Sequence, residues 1–287
     1  MIRIKVPATS ANLGPGFDVL GIAFTLYNAF KFEESERFYM VGFEKRYSNP
    51  KYNLVCRSYC KVFEYLNISP IPVKIYMDVQ EVPTSRGLGS SATCIVAGVM
   101  AAKYYLGEKI TLDECFQIAS NIEGHPDNIA PAMFGGLVSS YKVEDKFKFV
   151  RYNVSNKLKF NVLVPPFELN THAARKVLPK VLNYKDILYN TARISNLPYA
   201  FSEGNIELLK ELMDDKMHEP YRMELIKDAD KIKEIAHKND CAFAISGAGP
   251  SLLIVSDKES LDCFNDFKDW SIFNLSTGSA GAIIEEI

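Results

Sequence analysis

The chain reads as an α+β protein. Extended segments come in runs and helical segments come in pairs between them, so the strict strand–helix alternation of a doubly wound parallel sheet is missing. The composition is that of an ordinary globular protein, with 47% hydrophobic and 24% charged residues over 287 positions. That length suits two domains, or one large one, with ample core.

Taken in order, residues 2–7 form a first strand, because the opening MIRIKVP has no apolar stretch of signal-peptide kind. Further extended segments fall at 22–32, 37–44 and 71–79, and the last alternates as a half-buried strand does. Helices are expected near 53–66, 90–106 and 111–123, the second ending at Leu106-Gly107, a C-capping pair. Gly135-Gly136 then opens a hairpin-like pair of strands, the second at 147–154. A strand at 158–165 starts a second set, followed by helices at 184–203, 205–213 and 228–238. Strands at 241–246, 251–256, 271–276 and 281–286 close the chain. No internal repeat or low-complexity linker interrupts it.

The net charge of −2 gives no basic face for nucleic acid. The longest apolar run, around residues 92–102, is far short of a membrane span. Six cysteines occur without a CxxC pair, which reads as reduced core thiols in a cytoplasm. The four histidines lack metal-ligand spacing, and no HExxH or GxSxG is present.

The informative stretch is PTSRGLGSSAT, residues 83–93, directly ahead of an apolar helix. Gly87 and Gly89 allow close approach of a ligand to backbone N–H groups, and the helix start offers unsatisfied donors and a positive dipole end to an anion. Ser90 and Ser91 add hydroxyls for phosphate or magnesium. The chemistry indicated is phosphate binding, with ATP as the carrier. Read alone, the stretch is equally a Gly-Leu-Gly turn starting a helix. It is neither a Walker loop nor a dinucleotide fingerprint.

Three further segments bear on the choice: VPATSANLGPGFDVLG at 6–21, EGHPDNIAP at 123–131 and ISGAGPS at 245–251. With the 83–93 loop they resemble, in order, the motifs of the galactokinase, homoserine kinase, mevalonate kinase and phosphomevalonate kinase (GHMP) superfamily, and the first two follow its homoserine kinase pattern. The resemblance spans Val6 to about Ser251. It implies a two-domain GHMP-kinase-like fold with the active site in the interdomain cleft. Residues 1–155 would form an N-terminal ATP-binding domain and 156–287 a C-terminal ferredoxin-like domain that closes over the substrate. The implied reaction is ATP- and Mg2+-dependent phosphorylation of L-homoserine to O-phospho-L-homoserine, a step toward threonine, in the cytoplasm. No nucleic acid or membrane partner is implied, and a homodimer is compatible with it. The alternatives are a sister small-molecule kinase such as mevalonate kinase, or a non-catalytic relative that binds ligand.

The same resemblance distributes roles. ATP would be held by Pro83, Arg86, Gly87, Leu88, Gly89, Ser90, Ser91, Ala92 and Thr93, with Asn53 and Val55 at the adenosine end. Ser91 and Glu123 would hold the metal; a hard cation takes oxygen ligands, magnesium usually few carboxylates. On residue chemistry alone Glu123 is also a solvated helix-end acid. Asn12, Asp18, His125, Asn128, Thr171, Arg175 and Arg222 would bind homoserine, and Asp18, Asn128, Ser91 and Glu123 would be the catalytic set. Asp18 is expected to anchor the substrate ammonium, with general base as the competing role. Asn12 and Asp18 otherwise read as turn chemistry in a six-residue loop, and Asp127-Asn128 as a helix N-cap. Two guanidinium forks, Arg175 and Arg222, suit a carboxylate; taken singly each reads as a surface ion-pair partner. Gly247, Gly249 and Ser251 would support the phosphate loop, or simply make a tight strand connection.

Overall fold

The computed structural model describes residues 1–259, 261–278 and 280–287. Its first strand, β1 (Ile2–Asn12), buries Ile2, Ile4 and Val6 on one face, as a period of two requires. A tight turn leads into the long strand β2 (Gly16–Glu34), which pairs antiparallel with β1. Then follow β3 (Tyr39–Val41), α1 (Leu54–Tyr65), β4 (Val73–Gln80), α2 (Ser90–Leu106), α3 (Leu112–Glu123), α4 (Ile129–Phe134), β5 (Leu137–Val143) and β6 (Lys146–Tyr152). Strand β2 is long enough to pair β5 through Leu20–Ile22 and β4 through Asn28–Glu34. Helix α2 is buried along most of its length, and α3 starts with a capping box between Thr111 and Glu114.

The second set begins with β7 (Lys159–Val164) and continues through α5 (Thr171–Lys176), α6 (Tyr184–Ile194), α7 (Leu197–Glu203), α8 (Ile206–Leu212), α9 (Glu219–Met223) and α10 (Ala229–Lys238). Strands β8 (Ala242–Ile245), β9 (Leu252–Ser256), β10 (Ser271–Leu275) and β11 (Ile283–Glu286) end it. Four of these make an antiparallel sheet ordered β10-β7-β9-β8. The last strand departs from expectation. β11 pairs with β1 at the edge of the seven-stranded first sheet, so the end of the chain returns across the division at 155 and covers an otherwise open edge.

Other differences are local. The helix expected over 184–203 is two helices, α6 and α7, separated at Ser195-Asn196, with Pro198 in the first turn of α7. The expected loop between Asn12 and Asp18 is much shorter: Asn12 ends β1 and Asp18 lies within β2. The short helices α4, α5 and α9 carry no periodic apolar stripe long enough to announce them.

One core cluster lies between the first sheet and α1–α4. A second joins the two sheets: Ala8, Leu20 and Phe24 from β1 and β2 pack with Phe160 from β7 and Phe201 from α7. Phe24 and Phe160 rings stand 5.5 Å apart and both are buried, each worth about 1.5–3 kcal/mol of transfer free energy. This shared core fixes the second set of elements against the strand ends that carry Asn12 and Asp18.

Candidate active site

The glycine loop is built by close backbone approach. Gly87 (φ +74°) and Gly89 (φ +67°) are both left-handed. A Cβ on Gly87 would lie 2.2 Å from the Ser246 carbonyl oxygen, and one on Gly89 2.0 Å from Thr9 Oγ1. A side chain at either position would force the loop or its neighbour to shift. Gly89 is the N-cap of α2, and no side chain among the described residues caps that helix; its first turn therefore keeps donors for an anion. The 245–251 segment braces the loop: Ser246 Oγ donates to Gly87 O at 2.7 Å, and Gly247 N donates to Ala11 O at 3.0 Å. From the other side Thr9 N donates to Leu88 O at 3.2 Å. A Cβ on Gly249 would press on Ile226 at 2.9 Å. Ser251, at the end of this segment, is wholly buried, and its hydroxyl has no partner among the described residues.

Two cavities meet at the start of α2, sharing Ser85, Ser90 and Ser91. One contains Asn53 and Val55 together with Phe43, Tyr47, Met77 and Cys94. Asn53, expected at the adenosine end, lines this cavity with most of its amide engaged by the protein. Its Oδ1 accepts from Val55 N (3.0 Å) and Cys56 N (3.2 Å), and its Nδ2 donates to Tyr47 O (2.9 Å), so it caps α1. The aromatic and thioether walls, Tyr47, Phe43 and Met77, come from a short 3-10 turn (Lys45–Tyr47), irregular chain and strand β4, where no motif marks them.

Not every residue of the 83–93 loop faces a cavity. Leu88, Ala92 and Thr93 are buried; Thr93 Oγ1 donates to Ser90 O (2.8 Å) and accepts from Asn28 Nδ2 (2.9 Å). Arg86 turns away and donates to the carbonyls of Pro165 (3.2 Å), Pro166 (3.2 Å) and Thr84 (3.3 Å). It ties the loop to the end of β7 and leaves anion contact to the backbone. Pro83 lines neither cavity.

The second cavity gathers the expected acceptor-site residues from both halves of the chain. Asp18 (β2) and Arg175 (α5) form a two-pronged ion pair, Nη1 to Oδ2 at 3.0 Å and Nη2 to Oδ1 at 2.7 Å. Both side chains remain about one-third exposed to the cleft (33% and 37%). Asn12 Oδ1 accepts from Asp18 N at 3.0 Å, and its Nδ2 donates to Gly247 O. Thr171 opens α5 and lines the same cavity.

On the opposite wall, Glu123 ends α3 ahead of Gly124 (φ +95°). Ser91 Oγ donates to Glu123 Oε2 at 2.7 Å. Burial raises the Glu123 carboxyl above its ordinary pKa, with the Ser91 hydrogen bond opposing. His125 Nδ1 pairs with Asp127 Oδ1, which also accepts from Asn128 N at 2.9 Å. Burial works against a charged His125, but Asp127 and the neighbouring acids prevail and its pKa is raised. Asp127 therefore does not cap α4; Asn128 stands at the N-cap position without a capping bond. Asn128 Oδ1 accepts from Thr9 Oγ1 at 2.8 Å, which turns its amide nitrogen the other way.

Arg222, on α9, is 1% exposed yet lines the cavity. It donates to Ala174 O (3.3 Å) and Gly247 O (3.1 Å). Burial, then the charge of Arg175, lowers its pKa to about 10, so it is a cation at neutral pH. It is a buried cation braced by carbonyls, not a surface partner. Ala248, within the 245–251 segment, lines this cavity beside Gly247, and so does Leu169, which was not expected from the sequence.

An anion cradle thus adjoins a hydroxyl–carboxylate pair and a cleft that presents both charge signs. The comparisons with known proteins agree with that layout. Residues 53–136 match the GHMP kinases N terminal domain and residues 199–262 the GHMP kinases C terminal domain. The homoserine kinase of Clostridium acetobutylicum is 41% identical over 300 aligned positions, covering 99% of this chain and 100% of that protein. A crystal structure of homoserine kinase from Cytophaga hutchinsonii superposes with a TM-score of 0.88 at 26% identity, over 99% of this chain and 97% of that one. The mevalonate kinase of Methanococcus jannaschii, at 17% identity and a TM-score of 0.66 over 97% and 98% of the two chains, shares the fold. With its glycine cradle, its paired cavities and full-length similarity of this order, the chain belongs to the GHMP kinase family, among the homoserine kinases.

Proposed function

We propose that this cleft transfers the γ-phosphoryl group of ATP to the side-chain hydroxyl of L-homoserine, giving O-phospho-L-homoserine. The observation that carries this reading is the adjacency of the glycine cradle to the Asp18–Arg175 pair. An anion site abuts a site whose two charges complement a zwitterion. Asp18 takes the substrate ammonium, while Arg175 and Arg222 take its carboxylate as guanidinium forks do. Asn128, oriented by Thr9, donates its amide to the acceptor hydroxyl, with His125 beside it. Asn12 fixes the Asp18 backbone, and Gly247, Gly249 and Ser251 stiffen the wall behind the phosphates.

ATP fits the cradle, because Gly87, Gly89, Ser90 and Ser91 line the cavity at the start of α2, where the first backbone N–H groups have no side-chain cap among the described residues. The purine end fits the neighbouring cavity against Val55 and Tyr47. The donor set at Ser91 and Glu123 is oxygen only, which suits Mg2+. When bound, that ion neutralises charge on the transferring phosphoryl group. The chain's own contribution is alignment of the hydroxyl and exclusion of water. Six free cysteines fit a cytoplasmic setting, and no helix among the described residues is long and apolar enough to cross a membrane. Every group invoked belongs to one chain, so the reading holds for a monomer and a homodimer alike.

The test is ADP release with ATP and Mg2+ in the presence of L-homoserine, mevalonate, galactose or no acceptor. Homoserine should stimulate strongly and the others little. Stimulation by mevalonate equal to that by homoserine would overturn the substrate assignment.

A further inference from the structure

Behind the acceptor cleft lies a wholly buried imidazole with both ring nitrogens engaged. His218 Nε2 is 2.7 Å from the carbonyl oxygen of Gly14, and Nδ1 is 3.4 Å from Nη1 of Arg222. A carbonyl only accepts and a guanidinium only donates. The two neighbours therefore set the tautomer: Nε2 carries the hydrogen and Nδ1 is a bare acceptor. Burial holds the His218 pKa down to about 4, against the attraction of Asp215, so the ring is neutral at pH 7. The charged groups facing it are Asp215, Arg222 and Asp18. Asp215 is already occupied, accepting from the backbone N–H groups of Met217 (3.1 Å), His218 (2.7 Å) and Glu219 (2.7 Å).

Arg222 directs one N–H to Ala174 O, one to Gly247 O and one to His218 Nδ1. A guanidinium has five such donors, so the pair on Nη2, unpartnered among the described residues, is left for the cleft that Arg222 lines. The ring of Phe17 packs the assembly, with its centroid 5.2 Å from that of His218 and 5.1 Å from Arg222 Cζ. One unit thus joins the β1–β2 turn to α9.

We propose that His218 is a positioning residue, its Nδ1 holding the Arg222 guanidinium so that Nη2 faces the substrate carboxylate. The inference rests on the reading of Arg222 as a carboxylate partner. A neutral acceptor is what this place requires. A second carboxylate there would neutralise Arg222 and weaken its attraction for the substrate.

The experiment compares His218→Gln and His218→Asn in the full-length enzyme, measuring kcat and the KM values for homoserine and ATP. Glutamine reaches the Nε2 position and leaves the Nδ1 position empty, whereas asparagine can place its amide oxygen near Nδ1. His218→Gln should raise the homoserine KM about tenfold, the scale of a hydrogen bond to a charged group. The rise should exceed any fall in kcat and any change in the ATP KM, and His218→Asn should recover most of the affinity. Equal losses in the two variants, or an ATP KM that rises as much, would overturn the proposal. Added to Arg222→Ala, His218→Gln should cost less than about twofold more, since the two act as a unit; multiplicative costs would refute it. If Arg222→Ala itself leaves the homoserine KM unchanged, the carboxylate reading fails, and this inference with it. If Arg222→Ala is impaired while His218→Gln is not, only the positioning role fails. Long-range 1H–15N spectra of the wild-type protein supply a readout that needs no variant. They should show protonated Nε2 and bare Nδ1 from pH 6 to pH 8, and the opposite tautomer or a charged ring would refute the proposal.

Discussion

Replacing Gly87 by alanine tests whether the phosphate loop is set by contact with the 245–251 segment. Two costs add. Gly87 has φ +74°, and an alanine held in that region costs about 1–2 kcal/mol. Its Cβ would also lie 2.2 Å from Ser246 O and 2.9 Å from Gly249 O. Those are backbone atoms, so the loop or its brace must shift, at about 1–3 kcal/mol for overpacking of this kind. Together they come to roughly 2–5 kcal/mol. For 287 residues, unfolding entropy is about 0.6 kcal/mol/K, so Tm should fall by about 3–8 °C. Gly124 supplies the comparison: its φ is +95°, but nothing among the described residues lies within 4 Å of an added Cβ. Gly124→Ala should therefore lose only the backbone cost, about 2–3 °C. Calorimetry without nucleotide measures both. In a coupled ADP-release assay Gly87→Ala should also lose about a hundredfold in kcat, because a displacement of about 1 Å in a positioning loop has that effect. A Gly87→Ala protein no less stable than Gly124→Ala, with wild-type kcat, would refute the bracing argument.

Glu123→Ala should lower kcat by about a hundredfold or more at saturating Mg2+ with little change in the homoserine KM; near-normal kcat would move the metal role to another acid. Arg175→Ala should raise the homoserine KM about ten- to a hundredfold and leave the ATP KM unchanged, and lysine should rescue only in part. Asp18→Asn should mainly raise the homoserine KM; a collapse of kcat with KM intact would make Asp18 a base instead of an anchor. Glu219 is fully buried, and desolvation pushes its pKa from 4.5 up to about 8. Between those values the folded chain holds a proton that the unfolded chain has released. Stability from this group is therefore complete below pH 4.5 and falls by about 1.4 kcal/mol per pH unit as pH rises toward 8. Glu219→Gln should flatten that part of the profile in denaturant titrations, and an unchanged slope would show that the carboxyl is not the cause.

The strands and the long helices were legible because their signals are local. Periodic apolar residues run through 71–79 and 111–123, and Gly107 stops α2 where a C-cap should stand. The motifs picked out residues that the fold brings together: Asn12, Asp18, Glu123, His125, Asn128, Arg175 and Arg222 all line one cavity. What the sequence hides is how each side chain divides its bonds. Asn53 spends its amide on a helix cap and Arg86 its guanidinium on carbonyls, and neither use has a sequence signature apart from the capping preference of asparagine. The return of β11 to β1 is a pairing across 282 positions between Arg3 and Glu285, and no local pattern sets such a partner. His218 was passed over for the same reason. Its importance lies in Gly14 and Arg222, and only the fold brings those to it.

The Asp18–Arg175 pair bears on why the acceptor should be a zwitterion. With each side chain about one-third exposed, the pair is worth no more than about 1 kcal/mol, so a ligand can separate it at small cost. A zwitterion that enters between them offers an ammonium to Asp18 and a carboxylate to Arg175, and both charges stay paired. A hydroxy acid without the amine, such as mevalonate, satisfies the arginines but strands the carboxylate of Asp18 next to its own. Leaving a charge unpaired as water is excluded costs far more than the weak pair it replaced. Discrimination on this account comes from the penalty on the wrong acceptor more than from extra attraction for the right one. Removing the Asp18 charge should therefore narrow the gap between the two acceptors from both sides, weakening homoserine and relieving the penalty on mevalonate.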